Sequence, residues 1–164
     1  MINESPERSL DEYVRLMNEA IYEAKIGESK GEVPIGAILI NEYGAIISKN
    51  INTKEKNNDP CGHAEVNCLR EAGKTLNSWR LTNCELIVTL EPCPMCFYAI
   101  HQARIKKVIF GAYDEKGGAI SLGYHFHQDK RVNHRLEVIG GLLHYENSKI
   151  LSSFFKLRRN KTDY

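Results

Sequence analysis

The feature that most constrains the fold is a signature split over two short segments, His-Ala-Glu at 63–65 and Pro-Cys-Pro-Met-Cys at 92–96. Cys93 and Cys96 are three residues apart, so on a helix they share one face. The prolines on either side of Cys93 suit a first helical turn, where a backbone N–H has no intrahelical partner. His63 and Glu65 are two residues apart, so on a helix their side chains would not lie on the same face. Both can reach one pocket only if that pocket wraps around the start of a helix. The sequence therefore predicts a fold in which two helix N-termini meet.

The side chains of this signature indicate a metal site with one uncommitted carboxylate. His63, Cys93 and Cys96 offer the nitrogen and sulfur ligands typical of zinc, and catalytic zinc sites have three protein ligands with water in the fourth position. Glu65 is then available to accept and return protons, so the pattern predicts metal-assisted hydrolysis. The protease form of that chemistry is disfavoured because the sequence has no H-E-x-x-H pair.

The main alternative is a structural zinc site, which a fourth protein ligand would close. The side chains available to close it are Cys61, Cys68, Cys84 and His101. Cys68 and Cys84 lie in apolar stretches, where a cysteine behaves as a small core residue, whereas Cys61 is close to His63 in sequence. A Cys-x-x-Cys redox motif is a further alternative, and the paired His-x-Glu makes it the weaker one.

Composition and charge fit a protein with a sizeable core in a reducing compartment such as the cytoplasm. The 164 residues suit one domain, 1–164, and 42% of them are apolar. No apolar run approaches the length of about 20 residues that a membrane span needs, and the polar segment 1–11 lacks the apolar core of a signal peptide. Five cysteines, an odd number, argue against a disulfide framework. Residues 129–164 contain eight Lys/Arg against four acids, which suits either a polyanionic partner or a solvated helix face with a cationic end.

Hydrophobic periodicity and turn residues predict an order of elements in which strands and helices alternate. Ser9 is expected to cap the first helix and Gly27 to stop it, and Asp59 is expected to cap the helix that carries the His-Ala-Glu segment. Helices are predicted at 9–26, 59–73, 92–104 and 145–161, strands at 35–40, 45–48, 86–90, 107–111 and 135–139, and irregular segments at 50–58 and 113–132. The run from strand through helix to strand at 86–111 favours parallel strands. The prediction is one α/β domain with its zinc site at the carboxyl edge of the central strands.

At these residues the chain resembles the zinc nucleobase deaminases, whose signature is H-x-E followed by P-C-x-x-C. Within the cytidine and deoxycytidylate deaminase superfamily it is most similar to the bacterial tRNA-specific adenosine deaminases, and the similarity covers nearly the whole chain. The zinc motif marks only the superfamily, whereas Asn-His-Arg at 133–135 and Phe-Phe-Lys-Leu-Arg-Arg at 154–159 point to the tRNA enzymes. Further matching segments lie at 31–37, 59–65, 78–81, 88–96 and 108–112.

The resemblance implies a three-layer α/β/α sandwich of the cytidine deaminase type, with a central mixed sheet of about five strands and helices on both faces. It implies zinc-dependent hydrolytic deamination of adenosine to inosine at the wobble position of a tRNA anticodon. It also implies one Zn²⁺ per subunit, held by His63, Cys93 and Cys96, with Glu65 as the catalytic acid–base, and a homodimer whose sites lie near the subunit interface. The residues implied in binding the anticodon stem-loop are Asn52 at the flipped base, Asp114 near the flanking nucleotide, and Phe155, Arg158 and Arg159 along the RNA. Phe155 could alternatively pack in the core beside Phe154. Arg158 and Arg159 could alternatively cap the final helix.

The chain departs from the family pattern near the expected pocket. Cys61-Gly62 stands where Thr-Ala is usual, Phe97-Tyr98 where small residues are usual and Tyr113 where Arg is common, and the segment 118–131 lacks the usual Gly-Ser turn. These departures keep open a free-nucleobase deaminase for guanine or cytosine, which would need the zinc site but not the basic tail. A non-catalytic zinc RNA-binding protein is the second alternative, and for it Glu65 would be dispensable.

Overall fold

The computed structural model describes residues 7–162, with side chains placed from 7 to 160, so the first six residues of the polar N-terminal segment lie outside it. The helices are α1 Leu10–Ser29, α2 Lys54–Asn57, α3 Ala64–Thr75, α4 Pro94–Gln102 and α5 His144–Thr162. The strands are β1 Gly36–Ile40, β2 Ile46–Ile51, β3 Glu85–Leu90, β4 Lys107–Ala112 and β5 Glu137–Gly140. The long segment between β4 and β5 contains a 3-10 turn at Phe126–Gln128. Within the described part of the chain, no helix is both long enough and apolar enough to cross a membrane.

The five strands form one mixed sheet in the order β2-β1-β3-β4-β5. β1 pairs with both β2 and β3 in antiparallel fashion, whereas β3, β4 and β5 are parallel. The helix α4 connects β3 to β4, as expected for a crossover between parallel neighbours. The predicted mixed α/β sheet is therefore confirmed.

Side-chain alternation along the strands divides the core into two layers. On one face Ile38 and Ile40 of β1 pack with α1 and with the partly buried Ile150 of α5. On the other face Ala37 and Leu39 pack with α3 and α4. The molecule is thus the predicted three-layer sandwich, with α1 and α5 on one face of the sheet and the two signature helices on the other.

The end of α1 differs from the prediction. Ser9 caps the helix as expected, since its Oγ accepts the Glu12 N–H at 3.2 Å, but Gly27 does not stop it. Gly27 lies inside α1 and packs against Ile51, where an added Cβ would lie at an ordinary van der Waals distance of 3.4 Å from the Ile51 Cβ. The helix ends instead at Ser29. Gly31, with a φ of +83°, follows the C-cap and forms a Schellman motif in which the Glu32 N–H donates to the Gly27 carbonyl.

The start of the first signature helix also differs from the prediction. Asp59 does not cap it, because its Oδ1 accepts the Cys61 N–H at 2.8 Å within a turn. Helix α3 begins at Ala64, and the Ala64 N–H is bound at 2.9 Å by Oδ1 of Asn52, just beyond β2. The segment 50–58, predicted to be irregular, contains the end of β2 and the short α2, whose first N–H groups are accepted by the carboxylate of Glu32. In both cases the capping group comes from a distant part of the chain.

Candidate active site and metal centre

Two helix starts meet at one edge of the sheet, as the split signature requires. His63 is the N-cap of α3, and Cys93 is the N-cap of α4 with Pro94 at its first position. β2 and β3 run in the same direction because each is antiparallel to β1. The chain therefore leaves β3 towards Cys93 at the same edge where β2 ends beside the start of α3. This edge is the carboxyl edge of the parallel strands, where open α/β sheets bind ligands.

The ligand atoms of His63, Cys93 and Cys96 form a compact triangle. They all lie within 4.8 Å of one another, and the His63 Nδ1 is 3.6 Å from the Cys93 Sγ and 3.4 Å from the Cys96 Sγ. Tetrahedral zinc, with Zn–S and Zn–N bonds of about 2.3 and 2.0 Å, places such nitrogen and sulfur atoms about 3.5 Å apart. The donor set and its spacing therefore fit a zinc ion with three protein ligands.

The electrostatics of the triangle favour a thiolate. The pKa of Cys93 is lowered to about 4 because the Cys96 thiol and His63 both hydrogen-bond to its sulfur. That same Cys93 sulfur raises the pKa of His63. It also raises the pKa of Cys96, since two adjacent thiols cannot easily ionise together. A site that stabilises a thiolate is suited to binding a metal.

Glu65 lies next to the triangle, where its carboxyl group hydrogen-bonds to Cys96, but it is not one of the three clustered ligands. Its side chain is only 4% exposed, and burial raises the pKa of its carboxyl to about 7. Its Oε2 is buried and has no hydrogen-bond partner among the residues that the structure describes. A buried carboxylate oxygen without a partner is costly, so its presence here favours a role towards a ligand of the site.

None of the candidates for a fourth protein ligand, Cys61, Cys68, Cys84 and His101, belongs to this cluster. Across residues 7–160, His63, Cys93 and Cys96 are the one cluster of three or more His, Cys, Asp or Glu with metal-binding spacing. Cys68 and Cys84 are buried in the core, and the Cys68 Sγ contacts the Ala37 carbonyl at 3.1 Å. His101 stacks on Tyr98 at 5.9 Å. The geometry thus supports an open, catalytic site over a closed, structural one.

Asn52 connects the site to the sheet. Its side chain is buried, and its Oδ1 caps α3 at Ala64, one residue after His63. Because the carbonyl oxygen is used, the amide NH₂ is the part of this side chain available for hydrogen bonding to a base. The capping role was not part of the prediction for Asn52, since nothing local in the sequence links position 52 to position 64.

Asp114 lies just beyond β4 and is engaged by its own loop. Its Oδ1 accepts the N–H groups of Lys116 at 3.2 Å and Gly117 at 3.1 Å. Its own N–H donates to the Glu91 Oε2 at 2.9 Å. Glu91 was missed in the sequence, although it directly precedes the Pro-Cys-Pro-Met-Cys segment and is 2% exposed.

The remaining predicted RNA-binding residues lie on α5 and are separate from the metal triangle. This helix packs on the α1 face of the sheet, whereas the ligands lie on helices of the opposite face. Phe154 is buried, while Phe155 is 45% exposed, which argues against core packing as its role. The Arg158 guanidinium lies 5.2 Å from the Phe154 ring centroid, and Arg159 is exposed.

Two of the departures from the family pattern, Phe97-Tyr98 and the segment 118–131, are packed against each other. The buried Phe97 contacts Phe126 at 4.7 Å and His127 at 5.3 Å between ring centroids. Tyr98 contacts Phe126 at 5.2 Å. The segment 118–131 supplies the aromatic ring against which Phe97 and Tyr98 of α4 pack. These two departures are therefore structurally coupled. Tyr113 stands apart and packs edge-on against Phe110.

The chain is similar to several known proteins. The model of the cytidine and deoxycytidylate deaminase zinc-binding region matches residues 10–112. The tRNA-specific adenosine deaminase of Bacillus subtilis (strain 168) is 47% identical over 145 residues, which are 88% of this chain and 89% of that protein. A structure from a study of A-to-I editing by tRNA:A34 deaminases superposes with a TM-score of 0.79 at 39% identity, covering 84% of this chain and 99% of that one. The guanine deaminase of Bacillus subtilis superposes with a TM-score of 0.60 at 31% identity, covering 92% and 95%.

Proposed function

The chain belongs to the cytidine and deoxycytidylate deaminase family, and from its similarity to tRNA-specific adenosine deaminases we propose that it converts adenosine to inosine at the wobble position of tRNA anticodons. The observation that carries the chemistry is the triangle of His63, Cys93 and Cys96 beside the buried carboxylate of Glu65, whose Oε2 has no hydrogen-bond partner among the described residues. The observation that carries the substrate is 47% identity to the Bacillus subtilis enzyme over most of both chains. We also propose that residues 1–164 form one deaminase domain.

Zinc is the metal of this family's binding region, and we propose His63 Nδ1 and the two sulfur atoms as its protein ligands. When bound, zinc lowers the pKa of a coordinated water from about 15.7 to about 7, which makes a nucleophile available at neutral pH. Deamination replaces the C6 amino group of adenine with oxygen and releases ammonia. Glu65 accepts one proton from the attacking water and delivers it to the ring nitrogen as the C6–O bond forms. It then carries the remaining hydroxyl proton to the amino group, so that the C6–N bond breaks and ammonia leaves. Its unpartnered Oε2 leaves that oxygen available for these transfers.

The substrate-binding roles are proposals that rest on position. Asn52 presents its amide NH₂ to the flipped base, from a side chain already fixed by its bond to the Ala64 N–H. Asp114 brings its loop close to the flanking nucleotide. Phe155, Arg158 and Arg159 meet the RNA along α5, where an exposed aromatic ring can stack on a base and arginines can bind phosphates.

We propose that the protein acts as a homodimer, with a groove between α3 and α4 as the contact surface. The groove has a volume of about 930 Å³, and Leu69, Leu81 and Ala99 are among its lining residues. Trp79, which also lines it, is 60% exposed, and exposed tryptophans are enriched in protein interfaces. A second copy seated here would lie near the metal site, because the same two helices carry the ligands.

The dimer is tested by sedimentation of a Trp79→Glu variant. We expect Trp79→Glu to shift the protein to the mass of a single chain, while Tyr43→Glu, a similar change at an 84% exposed position, leaves the mass unchanged. A wild-type protein that sediments as a monomer would refute the dimer proposal.

A cytoplasmic location is proposed as well, because the substrate is tRNA and the two ligand thiols must stay reduced.

The substrate is tested by a panel of reactions with the zinc-loaded wild-type protein. We expect inosine to form in an anticodon stem-loop with adenosine at the wobble position, and we expect no inosine when guanosine replaces that adenosine. Free adenosine, guanine and cytosine should release no ammonia. The similarity to guanine deaminase makes guanine the decisive control. Turnover of guanine without reaction on the stem-loop would replace this proposal with the free-base alternative.

A further inference from the structure

Glu91 lies between the end of β3, at the carboxyl edge of the parallel strands, and Cys93, the first of the two proposed cysteine ligands. It follows β3 directly, its N–H donates to the Ala112 carbonyl at 2.8 Å, and its side chain is 2% exposed. The backbone at this point therefore continues the pairing of β3 with β4. The carboxylate is held in place two residues before Cys93.

The carboxylate of Glu91 accepts three hydrogen bonds from one segment, residues 114–121. The Asp114 N–H donates to Oε2 at 2.9 Å. The Ser121 N–H donates to Oε1 at 2.8 Å, and the Ser121 hydroxyl donates to Oε2 at 2.7 Å. The three donors come from the two ends of the segment, so a single side chain closes it into a loop.

The loop is wrapped tightly around this side chain. A Cβ added to Gly118 would collide with the carboxyl group of Glu91, so a larger residue at position 118 would displace that side chain. The next residue, Ala119, is buried and donates its N–H to the Pro92 carbonyl at 2.8 Å. The loop thus contacts both Glu91 and the residue that immediately precedes Cys93.

We propose that Glu91 is a positioning residue that fixes the 114–121 loop against the start of α4 and thereby sets the wall of the substrate site. The inference rests on the proposed function, because the loop carries Asp114, which is assigned to the flanking nucleotide. A carboxylate is required because it has only acceptors, and each of the three groups facing it is a donor. Glu91 makes no contact with the reacting atoms in this role. Its effect passes through the loop backbone.

The variant that tests this role is Glu91→Gln, which keeps the size of the side chain and replaces one acceptor oxygen with an NH₂ donor. That NH₂ would face either the Asp114 N–H or the Ser121 N–H, leaving a donor unpaired against the buried side chain of residue 91. Ser121→Ala removes one of the three bonds and should give a smaller effect in the same direction. The control is Glu115→Gln, which makes the same chemical change at an exposed position of the same loop.

The first readout is amide hydrogen exchange of the zinc-loaded protein, which does not depend on activity. In Glu91→Gln we expect the amides of Asp114 and Ser121 to exchange on the order of tenfold faster, in line with loss of a hydrogen bond to a charged group. The amides of β1 should be unchanged, and zinc content should remain that of the wild type. Unchanged protection at 114 and 121, or an equal loss of protection throughout the chain, would overturn the proposal.

The second readout is the kinetics of stem-loop deamination. We expect kcat/KM to fall on the order of tenfold in Glu91→Gln, mainly through a higher KM, since the loop that meets the flanking nucleotide has lost its fixed position. Glu115→Gln should match the wild type. A fall carried by kcat alone, or an equal fall in Glu115→Gln, would refute the positioning role. If the wild type fails to deaminate the stem-loop, the proposed function fails, while the exchange experiment still decides whether Glu91 holds the loop.

Discussion

Replacing Phe97 with alanine should destabilise the protein more than most single substitutions. The ring, a side chain of α4, is 1% exposed and belongs to the core layer between the sheet and helices α3 and α4. It contacts Phe126 at 4.7 Å and His127 at 5.3 Å. Truncation of a fully buried phenylalanine costs about 3–5 kcal/mol, because apolar contacts are lost and a cavity remains. For a chain of this size each kcal/mol lowers Tm by about 2–4 °C, so Phe97→Ala should lower it by roughly 10 °C.

The assay is urea unfolding of the zinc-saturated protein, since metal binding itself adds to stability and has to be held constant. The matched control is Phe155→Ala, which removes the same ring from a position that is 45% exposed. We expect the control to change the free energy of unfolding by less than about 1 kcal/mol. Because both variants remove the same side chain, the difference between their free energies of unfolding reports the effect of burial alone.

A double-mutant cycle with Phe126→Ala tests whether the two departures from the family pattern act together. Paired aromatic rings at this distance are coupled by about 0.5–1.5 kcal/mol beyond their burial. We expect the double variant to be less destabilised than the sum of the single variants by that amount. A cost below about 1 kcal/mol for Phe97→Ala, or additive effects at 97 and 126, would refute the packing argument.

Three further predictions follow from the same structure. Burial lowers the pKa of His101 below its ordinary value. Because the unfolded chain then binds the proton more readily, the free energy of unfolding should decrease as pH falls below about 6.5. The urea midpoint of His101→Phe should therefore fall less steeply than that of the wild type between pH 7 and 5, and parallel curves would contradict this. Asn52→Ala removes the side-chain cap of α3 and should cost about 1–2 kcal/mol in urea unfolding, so an unchanged midpoint would argue against the cap. Arg158→Gln and Arg159→Gln should each reduce the slope of log Kd for the anticodon stem-loop against log salt by about 0.7, the value for one phosphate contact on a single strand; equal slopes would remove these residues from the RNA surface.

The chemistry of the site was predictable because its signal is local. His-x-Glu and Cys-x-x-Cys determine ligand types and spacings within a few residues, and the requirement for two meeting helix starts follows from helix geometry. The structure shows His63 and Cys93 as the N-caps of α3 and α4. The assignment of these residues as ligands, and of Glu65 as the acid–base, remains a prediction that the geometry supports.

The errors arose where a distant residue replaced a local signal. Asp59-Pro60 has the local pattern of a helix start, but Asn52 supplies the cap and shifts the start of the helix to Ala64. Gly27 has the local pattern of a helix stop, but the helix continues past it to Ser29, with Gly27 packed against Ile51. The role of Glu91 was hidden for the same reason, since its partners are more than twenty residues away in sequence. Local propensity predicts the main helices and strands, whereas tertiary contacts decide where they begin and end and support the short α2.

The central claim is that Glu65 performs proton transfer beside a zinc ion that it does not bind. The most direct test measures zinc content and ammonia release together in Glu65→Ala. The account predicts one zinc per chain, as in the wild type, and no ammonia from the anticodon stem-loop. Ammonia release at the wild-type rate by the zinc-loaded variant would contradict the mechanism, and loss of zinc would show that Glu65 belongs to the metal's own ligands.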